Sequence, residues 1–84
     1  MKIYWNGTSK NIIGPKLKQL RTELGLSQAK LAGQLQLLGL ECNDLTILRI
    51  EQGKRFVPDY ELSVIADFFH ITTDELLGKK EAGQ

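Results

Sequence analysis

The side chains best suited to binding lie along one predicted helix. Ile47 and Ile50 are spaced to share the inward face of that helix, which leaves its other face free to meet a partner. An arginine on such a face can donate two hydrogen bonds to O6 and N7 of a guanine, the commonest specific contact in the major groove of DNA. The outward residues follow the helical spacing i, i+3, i+4 and i+7, and they are Leu45, Leu48, Arg49 and Gln52.

Residue types for catalysis and metal binding are scarce. The chain has one histidine, His70, and one cysteine, Cys42, whereas a metal site needs about four clustered ligands. It shows no Ser/His/Asp grouping, no paired-carboxylate cleft and no phosphate-cradling glycine loop. A single cysteine cannot form a disulfide within one chain, which favours the cytoplasm. We therefore expect a protein that is not an enzyme and binds no metal or cofactor.

The length and composition indicate one globular domain over residues 1–84. A chain of 84 residues buries roughly 60 % of its unfolded surface, which suffices for one core. Hydrophobic residues make up 42 % and charged residues 25 %, as in ordinary globular proteins. No apolar run approaches the ~20 residues of a membrane span, and the first residues contain no apolar signal core. Membrane insertion and export are not expected.

The charge is unevenly distributed. Residues 1–55 carry nine Lys/Arg and four Asp/Glu, while residues 56–84 carry two and six. Such a chain can present a basic face to phosphates. Uneven but merely solvated surface charge is an equally good interpretation of this pattern alone.

Changes in periodicity divide the chain into three parts. We expect an N-terminal arm of residues 1–11, a helical core of residues 12–78 and a flexible tail of residues 79–84. The arm contains Tyr4 and Trp5, which either cover the core or make a dimer contact.

Start and stop signals predict five short helices, an all-α fold, within the core. Ser27 and Asn43 suit the N-caps of the second and third helices, and Pro58 opens the fourth. Thr72 and Glu75 have the spacing of a capping box before the fifth. Glycines end the first, second, third and fifth helices. The expected inward faces are Ile13, Leu17, Leu20 and Leu24; Leu31, Ala32, Leu35 and Leu38; Ile47 and Ile50; and Leu62, Ile65, Ala66 and Phe69.

Four sequence pieces occur in an order that carries a resemblance. They are Leu24-Gly25-Leu26-Ser27-Gln28, Leu31-Ala32, Ile50-Glu51-Gln52-Gly53-Lys54-Arg55, and Ile71 followed by Asp74-Glu75-Leu76-Leu77-Gly78. The stretch from Ile13 to Gly78, about 66 of 84 residues, resembles the XRE-type helix-turn-helix family, related to the lambdoid phage repressors and Cro.

The resemblance implies a compact five-helix, lambda-repressor-like fold that binds double-stranded DNA. Its third helix, about residues 43–52, would enter the major groove. Arg21 would pair with Glu51 in a structural role. Gln28 would meet a phosphate with help from the helix dipole. The implied base-reading residues are Asn43, Asp44, Leu45, Thr46 and Arg49. The implied contacts to the DNA backbone are Ser27, Gln28, Gln52, Gly53, Lys54 and Arg55.

Two features depart from the family pattern. The region between Leu35 and Asn43 is a few residues longer than in the compact phage proteins, so the second helix is expected to run further. Asp44 and Leu45 stand where many members carry Arg, Gln, Ser or Lys. An aspartate is repelled by phosphates but can accept from cytosine N4. Leu45 and Leu48 can pack on thymine methyl groups or belong to a protein interface.

Two functions follow from these expectations. The first is a cytoplasmic transcriptional regulator that binds a palindromic operator as a homodimer, through its fifth helix and tail or through its arm. The alternative is a protein-interaction module that keeps the fold, has lost specific DNA reading and binds a protein partner. The two differ in salt response, because phosphate contacts release counterions and apolar docking does not.

Overall fold

Five α-helices form between residues 9 and 78, the part of the chain that a computed structural model of the protein describes. The predicted all-helical fold is therefore confirmed. Most of the expected arm, with Tyr4 and Trp5, and the whole of the expected tail fall outside the described residues. Within the described part, no helix is long and apolar enough to span a membrane. The helices are α1 (Gly14–Glu23), α2 (Gln28–Leu37), α3 (Asp44–Glu51), α4 (Asp59–Phe68) and α5 (Thr73–Leu76).

Side-chain caps fix where three of the helices begin. Ser27 Oγ accepts a hydrogen bond of 3.0 Å from the third amide of α2. Asn43 and Thr46 form a reciprocal capping box at α3, and Thr72 and Glu75 form another at α5. Each cap satisfies amides that have no carbonyl partner inside the helix, and its loss costs about 0.5–2 kcal/mol. The three predicted N-caps are confirmed.

One cluster of buried side chains holds the helices together. Ile47 and Ile50 bring α3 into this cluster, as their spacing predicted. Leu20, Leu62 and Phe69 pack against it in a half-buried state. Full burial of an aliphatic side chain is worth about 1.5–3 kcal/mol, so the cluster is the main source of stability. Its buried members are Ile13, Leu17, Leu31, Ala32, Leu35, Leu40, Ile47, Ile50, Ile65, Ala66 and Leu76.

Two leucines expected on buried faces are exposed instead. Leu24 is 59 % exposed and Leu38 is 50 % exposed. Each is the C-cap of its helix, α1 and α2 respectively, where the backbone turns away from the helix axis. The prediction from helical spacing therefore made each buried face one residue too long.

The connection between α2 and α3 is held in place by its own contacts. The helix α2 runs to Leu37, past Leu35 as expected, and six residues separate it from α3. Leu40 in this segment is buried, and the Cys42 thiol lies 3.5 Å from the carbonyl oxygen of Ala32. The helices α2 and α3 also pack on each other more extensively than any other pair. The connection is thus a fixed turn between two packed helices.

Directly after the C-cap of α4 lies the one non-glycine residue with positive φ among the described residues. His70 has a φ of 58°. Its amide donates to the carbonyl oxygen of Asp67 at 3.1 Å, and the amide of Ile71 donates to that of Ala66 at 3.0 Å. These two hydrogen bonds satisfy carbonyl groups that the helix end leaves open. A histidine tolerates this conformation less well than a glycine does.

Candidate nucleic-acid interface

The outer face of α3 is exposed, while its inner face lies in the core. Leu45 is 45 % exposed, and Asp44, Arg49 and Gln52 are exposed as well. Leu48, expected on the same face, is half-buried. The guanidinium of Arg49 makes no hydrogen bond or ion pair with any other described residue. It is therefore available to an external acceptor.

The first turn of α3 uses several of its own polar groups. Asn43 Oδ1 accepts from the amide of Thr46 at 2.9 Å and lies 3.1 Å from the Thr46 hydroxyl, which donates to it. Asp44 Oδ1 accepts from the amide of Leu45 at 2.9 Å. The structure thus brings the predicted base-reading residues together on α3, but it commits Asn43 and Thr46 to the cap. Asp44, Leu45 and Arg49 are left to meet a partner.

A hydrogen-bonded network ties the end of α3 to α1. Arg21 Nε donates to Glu51 Oε2 at 2.6 Å, and Arg21 Nη2 donates to Glu51 Oε1 at 3.1 Å. The remaining nitrogen, Nη1, donates to the carbonyl oxygen of Leu26 at 2.8 Å. The side chains of Arg21 and Glu51 are only 11 % and 4 % exposed. The structure therefore contains the expected pair as a buried, bidentate contact.

Arg21 keeps its charge despite burial. The hydrogen bond to Glu51 raises the pKa of Arg21 above its ordinary value, while desolvation by burial acts in the opposite direction. Because every nitrogen of the guanidinium has an acceptor, the desolvation is compensated. The pair fixes the orientation of α3 relative to α1.

The side chain of Gln28, which was predicted to meet a phosphate, belongs to this network. Its Nε2 donates to Glu51 Oε1 at 3.0 Å, so the side chain faces the carboxylate and not a phosphate. A charged acceptor inside the protein outcompetes the solvent for this amide. The main-chain amides of Gln28 and Ala29, at the start of α2, have no carbonyl partner within the helix. These amides, beside the exposed Ser27, can still face an anion.

The segment between α3 and α4 offers one cation to the solvent. Lys54 is exposed, and its ammonium group pairs with no other described residue. Its amide donates to the carbonyl oxygen of Arg49 at 2.8 Å, which closes the end of α3. Gln52, the C-cap of α3, is also exposed. Lys54 and Gln52 are therefore placed beside the outer face of α3, as expected.

The main chain of Gly53, a predicted contact to the DNA backbone, is engaged inside the protein. The residue is buried, its amide donates to the carbonyl oxygen of Ile50 at 3.0 Å, and its own carbonyl accepts from the amide of Lys10 at 2.7 Å. No backbone donor remains for a phosphate. Glycine stands here because its φ is +75° and because a Cβ at this position would collide with the side chain of Ser9.

Arg55, also a predicted contact to the DNA backbone, forms an ion pair within the protein. Its Nη1 and Nη2 donate to the two carboxylate oxygens of Glu61 on α4, at 2.6 and 3.1 Å. The hydrogen bond to Glu61 raises the pKa of Arg55, with burial opposing it. Glu61 is buried and needs a cation, which is why Arg55 turns inward.

Two residues that precede α1 and contact the end of α3 were not identified from the sequence. The amide of Lys10 donates to the carbonyl oxygen of Gly53, and its ammonium group lies 5.6 Å from the centre of the Phe56 ring. Asn11 donates from Nδ2 to the carbonyl oxygens of Ile50 and Arg55. Contacts across about forty positions leave no local pattern, so no sequence signal marked either residue.

Charge is segregated along the fold. Every Lys and Arg of residues 9–78 precedes α4, whereas residues 56–78 contain five carboxylates and no Lys or Arg. The helices α1 to α3 therefore form the basic part and α4 with α5 the acidic part. An anionic partner is attracted to the first and repelled by the second.

The described residues contain no group of three or more His, Cys, Asp or Glu side chains placed to hold a metal ion. Cys42 is half-buried, and this burial, together with the charge of Glu61, raises the pKa of its thiol. A raised pKa disfavours the thiolate, which is the reactive form. The polar groups on α3 can form hydrogen bonds and ion pairs, and these make a binding surface.

No protein-family model matches the chain, and no curated protein matches it. The chain's own residues therefore provide the evidence for its function.

Proposed function

We propose that the chain is a cytoplasmic transcriptional regulator that binds double-stranded DNA through α3, as an XRE-type, lambda-repressor-like helix-turn-helix protein does. The observation that carries this proposal is the division of α3 into two faces. Its inner face is buried with Ile47 and Ile50, and its end is tied down through Glu51. Its outer face exposes Leu45 and Arg49, and the guanidinium of Arg49 forms no hydrogen bond or ion pair with another described residue.

The diameter of a helix is compatible with the same proposal. An α-helix with its side chains is about 10–12 Å across. The major groove is about 12 Å wide and admits an α-helix. Arg49 would bind guanine, Asp44 would accept from cytosine N4, and Leu45 would pack on a thymine methyl group.

Contacts to the DNA backbone would come from both ends of the packed helix pair. Lys54 and Gln52 lie at the end of α3, with Lys10 as a further cation beside them. At the start of α2, Ser27 and the free main-chain amides would face a phosphate. These contacts fix the register on the duplex and read no sequence.

A homodimer follows from the short length of the recognition helix. One α3 meets only a few base pairs, too few to specify a site among the many in a genome. Two copies related by a two-fold axis would place their α3 helices on half-sites about 34–36 Å apart, one turn of DNA.

A second candidate, a protein-interaction module that no longer reads DNA, is favoured by one observation. Leu37 is 80 % exposed and Leu38 is 50 % exposed at the end of α2, and Leu45 is exposed on α3. Exposed leucines suit docking to an apolar protein surface. Asp44, on the same face, opposes the approach of phosphates.

Three alanine variants separate the two candidates on a duplex enriched from a random pool. Arg49→Ala should remove discrimination between the enriched duplex and a scrambled one, because it deletes a base contact. Lys54→Ala should weaken binding to both duplexes alike and reduce the salt slope by about one. Lys18→Ala removes the same charge from α1, on an exposed position outside the proposed contacts, and serves as the control.

The salt dependence of the parent protein decides between the candidates. Binding that weakens steeply with salt and depends on Arg49 supports the regulator. Variants that bind as the parent does would refute the site. An enriched pool that shows no motif would favour the interaction module.

A further inference from the structure

The side chain of Asn11 connects three separate backbone segments. Its Oδ1 accepts from the amide of Gly14 at 2.9 Å. Its Nδ2 donates to the carbonyl oxygen of Ile50 at 3.1 Å and to that of Arg55 at 2.8 Å. The oxygen and both amide hydrogens are therefore used.

The two helix ends that Asn11 joins are those of α1 and α3. Gly14 is the first residue of α1, where an amide has no carbonyl partner within the helix. Ile50 lies in the last turn of α3, and its carbonyl oxygen accepts from the amide of Gly53 at 3.0 Å as well as from Asn11. An asparagine suits this position because its carboxamide both donates and accepts. An aspartate in its place would set a carboxylate against two carbonyl oxygens.

Further contacts hold the same junction together. A Cβ on Gly14 would lie 2.7 Å from the carbonyl oxygen of Ile50 and 2.8 Å from that of Glu51, so the start of α1 touches the backbone of α3. The amide of Lys10 donates to the carbonyl oxygen of Gly53 at 2.7 Å. The segment before α1 thus holds the main chain of α3, and the position of the helix depends on it.

We propose that Asn11 is a positioning residue for DNA reading, which rests on the proposed function of α3. It holds the end of α3 against the start of α1 and thereby determines the positions of Arg49 and Lys54. Arg49 directly precedes Ile50 and Lys54 directly precedes Arg55, the two residues whose carbonyl oxygens Asn11 binds, and the amide of Lys54 is bonded to the carbonyl oxygen of Arg49. A bidentate contact to guanine tolerates little displacement, because hydrogen bonds weaken steeply with distorted geometry. Asn11 acts on recognition without touching DNA.

The test compares Asn11→Ala with Thr72→Ala. The control removes the capping box of α5, which packs on α4 more extensively than on α3. Both variants lose local hydrogen bonds, and binding is measured at a temperature where circular dichroism shows both folded. Asn11→Ala should weaken binding to the enriched duplex about tenfold, which is 1.4 kcal/mol, and should reduce discrimination against a scrambled duplex. Thr72→Ala should change neither.

A second measurement does not depend on DNA. Backbone amide resonances should shift along α3 as far as Leu45 in Asn11→Ala, but not in Thr72→Ala. If Asn11→Ala does not fold, Asn11→Ser replaces it, because serine keeps an acceptor for the Gly14 amide and cannot donate to two carbonyl oxygens.

The outcomes separate this proposal from the proposed function. Unchanged affinity, discrimination and α3 resonances in the Asn11 variant would overturn the positioning role. Equal losses in the Asn11 and Thr72 variants would overturn it too, because they would indicate general destabilisation. If the parent protein binds no DNA, the proposed function fails, and the resonances of α3 alone decide whether Asn11 positions the helix.

Discussion

Replacing Glu51 with alanine removes the centre of the network between α1, α2 and α3. Three hydrogen bonds lose their acceptor, two from Arg21 and one from Gln28. The guanidinium of Arg21 remains in a site where the side chain is only 11 % exposed, so solvent screening compensates little. Breaking a buried pair by deleting one partner costs about 3–5 kcal/mol.

This loss is large compared with the whole stability. An 84-residue chain at roughly 0.05–0.15 kcal/mol per residue has a free energy of unfolding of about 4–13 kcal/mol. The double variant Arg21→Met/Glu51→Leu should recover most of the loss, because apolar residues of similar size replace buried ion pairs at little cost. Urea unfolding followed by far-UV circular dichroism measures each free energy, and a constant m-value shows that the comparison is valid.

The matched control is Glu23→Ala on α1. Glu23 is exposed and accepts only from Gln19 among the described residues, at 3.1 Å. Its replacement should change the free energy of unfolding by less than about 0.5 kcal/mol. If Glu51→Ala loses less than about 1 kcal/mol, a value typical of exposed pairs, the reasoning from burial is refuted.

Three other changes test separate parts of the structure. His70→Gly should raise the free energy of unfolding by about 0.5–1 kcal/mol, because glycine adopts the φ of 58° without strain; a lower urea midpoint than that of His70→Ala would contradict this. Glu61→Gln should release Arg55 for a phosphate and steepen the plot of log Kd against log salt by about one unit; parallel plots would count against it. The pKa of Cys42 is raised in the folded protein by burial, so its stabilising effect is present below the unfolded pKa and is lost as pH rises through the folded pKa. Alkaline urea midpoints should therefore fall slightly more for the parent than for Cys42→Ala, and identical declines would argue against the assignment.

Local signals predicted the fold well. Capping residues such as Asn43 bind amides within one turn, so a cap can be predicted from residues that are close in the sequence. Ile47 and Ile50 are buried because their spacing follows the helical repeat. Leu24 and Leu38 continue the same spacing but are C-caps, where the backbone leaves the helix and the repeat no longer applies.

The candidate site was predicted in part. The outer face of α3 follows from the same repeat that buries its inner face. The ion pair of Arg55 was not predicted, because its partner, Glu61, approaches only when α4 packs. Gln28 turns to Glu51 across 23 positions for the same reason. No local sequence pattern indicated a role for Asn11, because its two acceptors lie 39 and 44 positions away.

The most direct test of the central claim is selection from a random duplex pool, with the parent protein and Arg49→Ala side by side at moderate salt. If α3 reads DNA, the parent protein should enrich a palindrome with half-sites about one helical turn apart. The variant should then lose the preference at one position in each half-site. A parent protein that enriches no motif, or a variant that enriches the same one, would contradict the account.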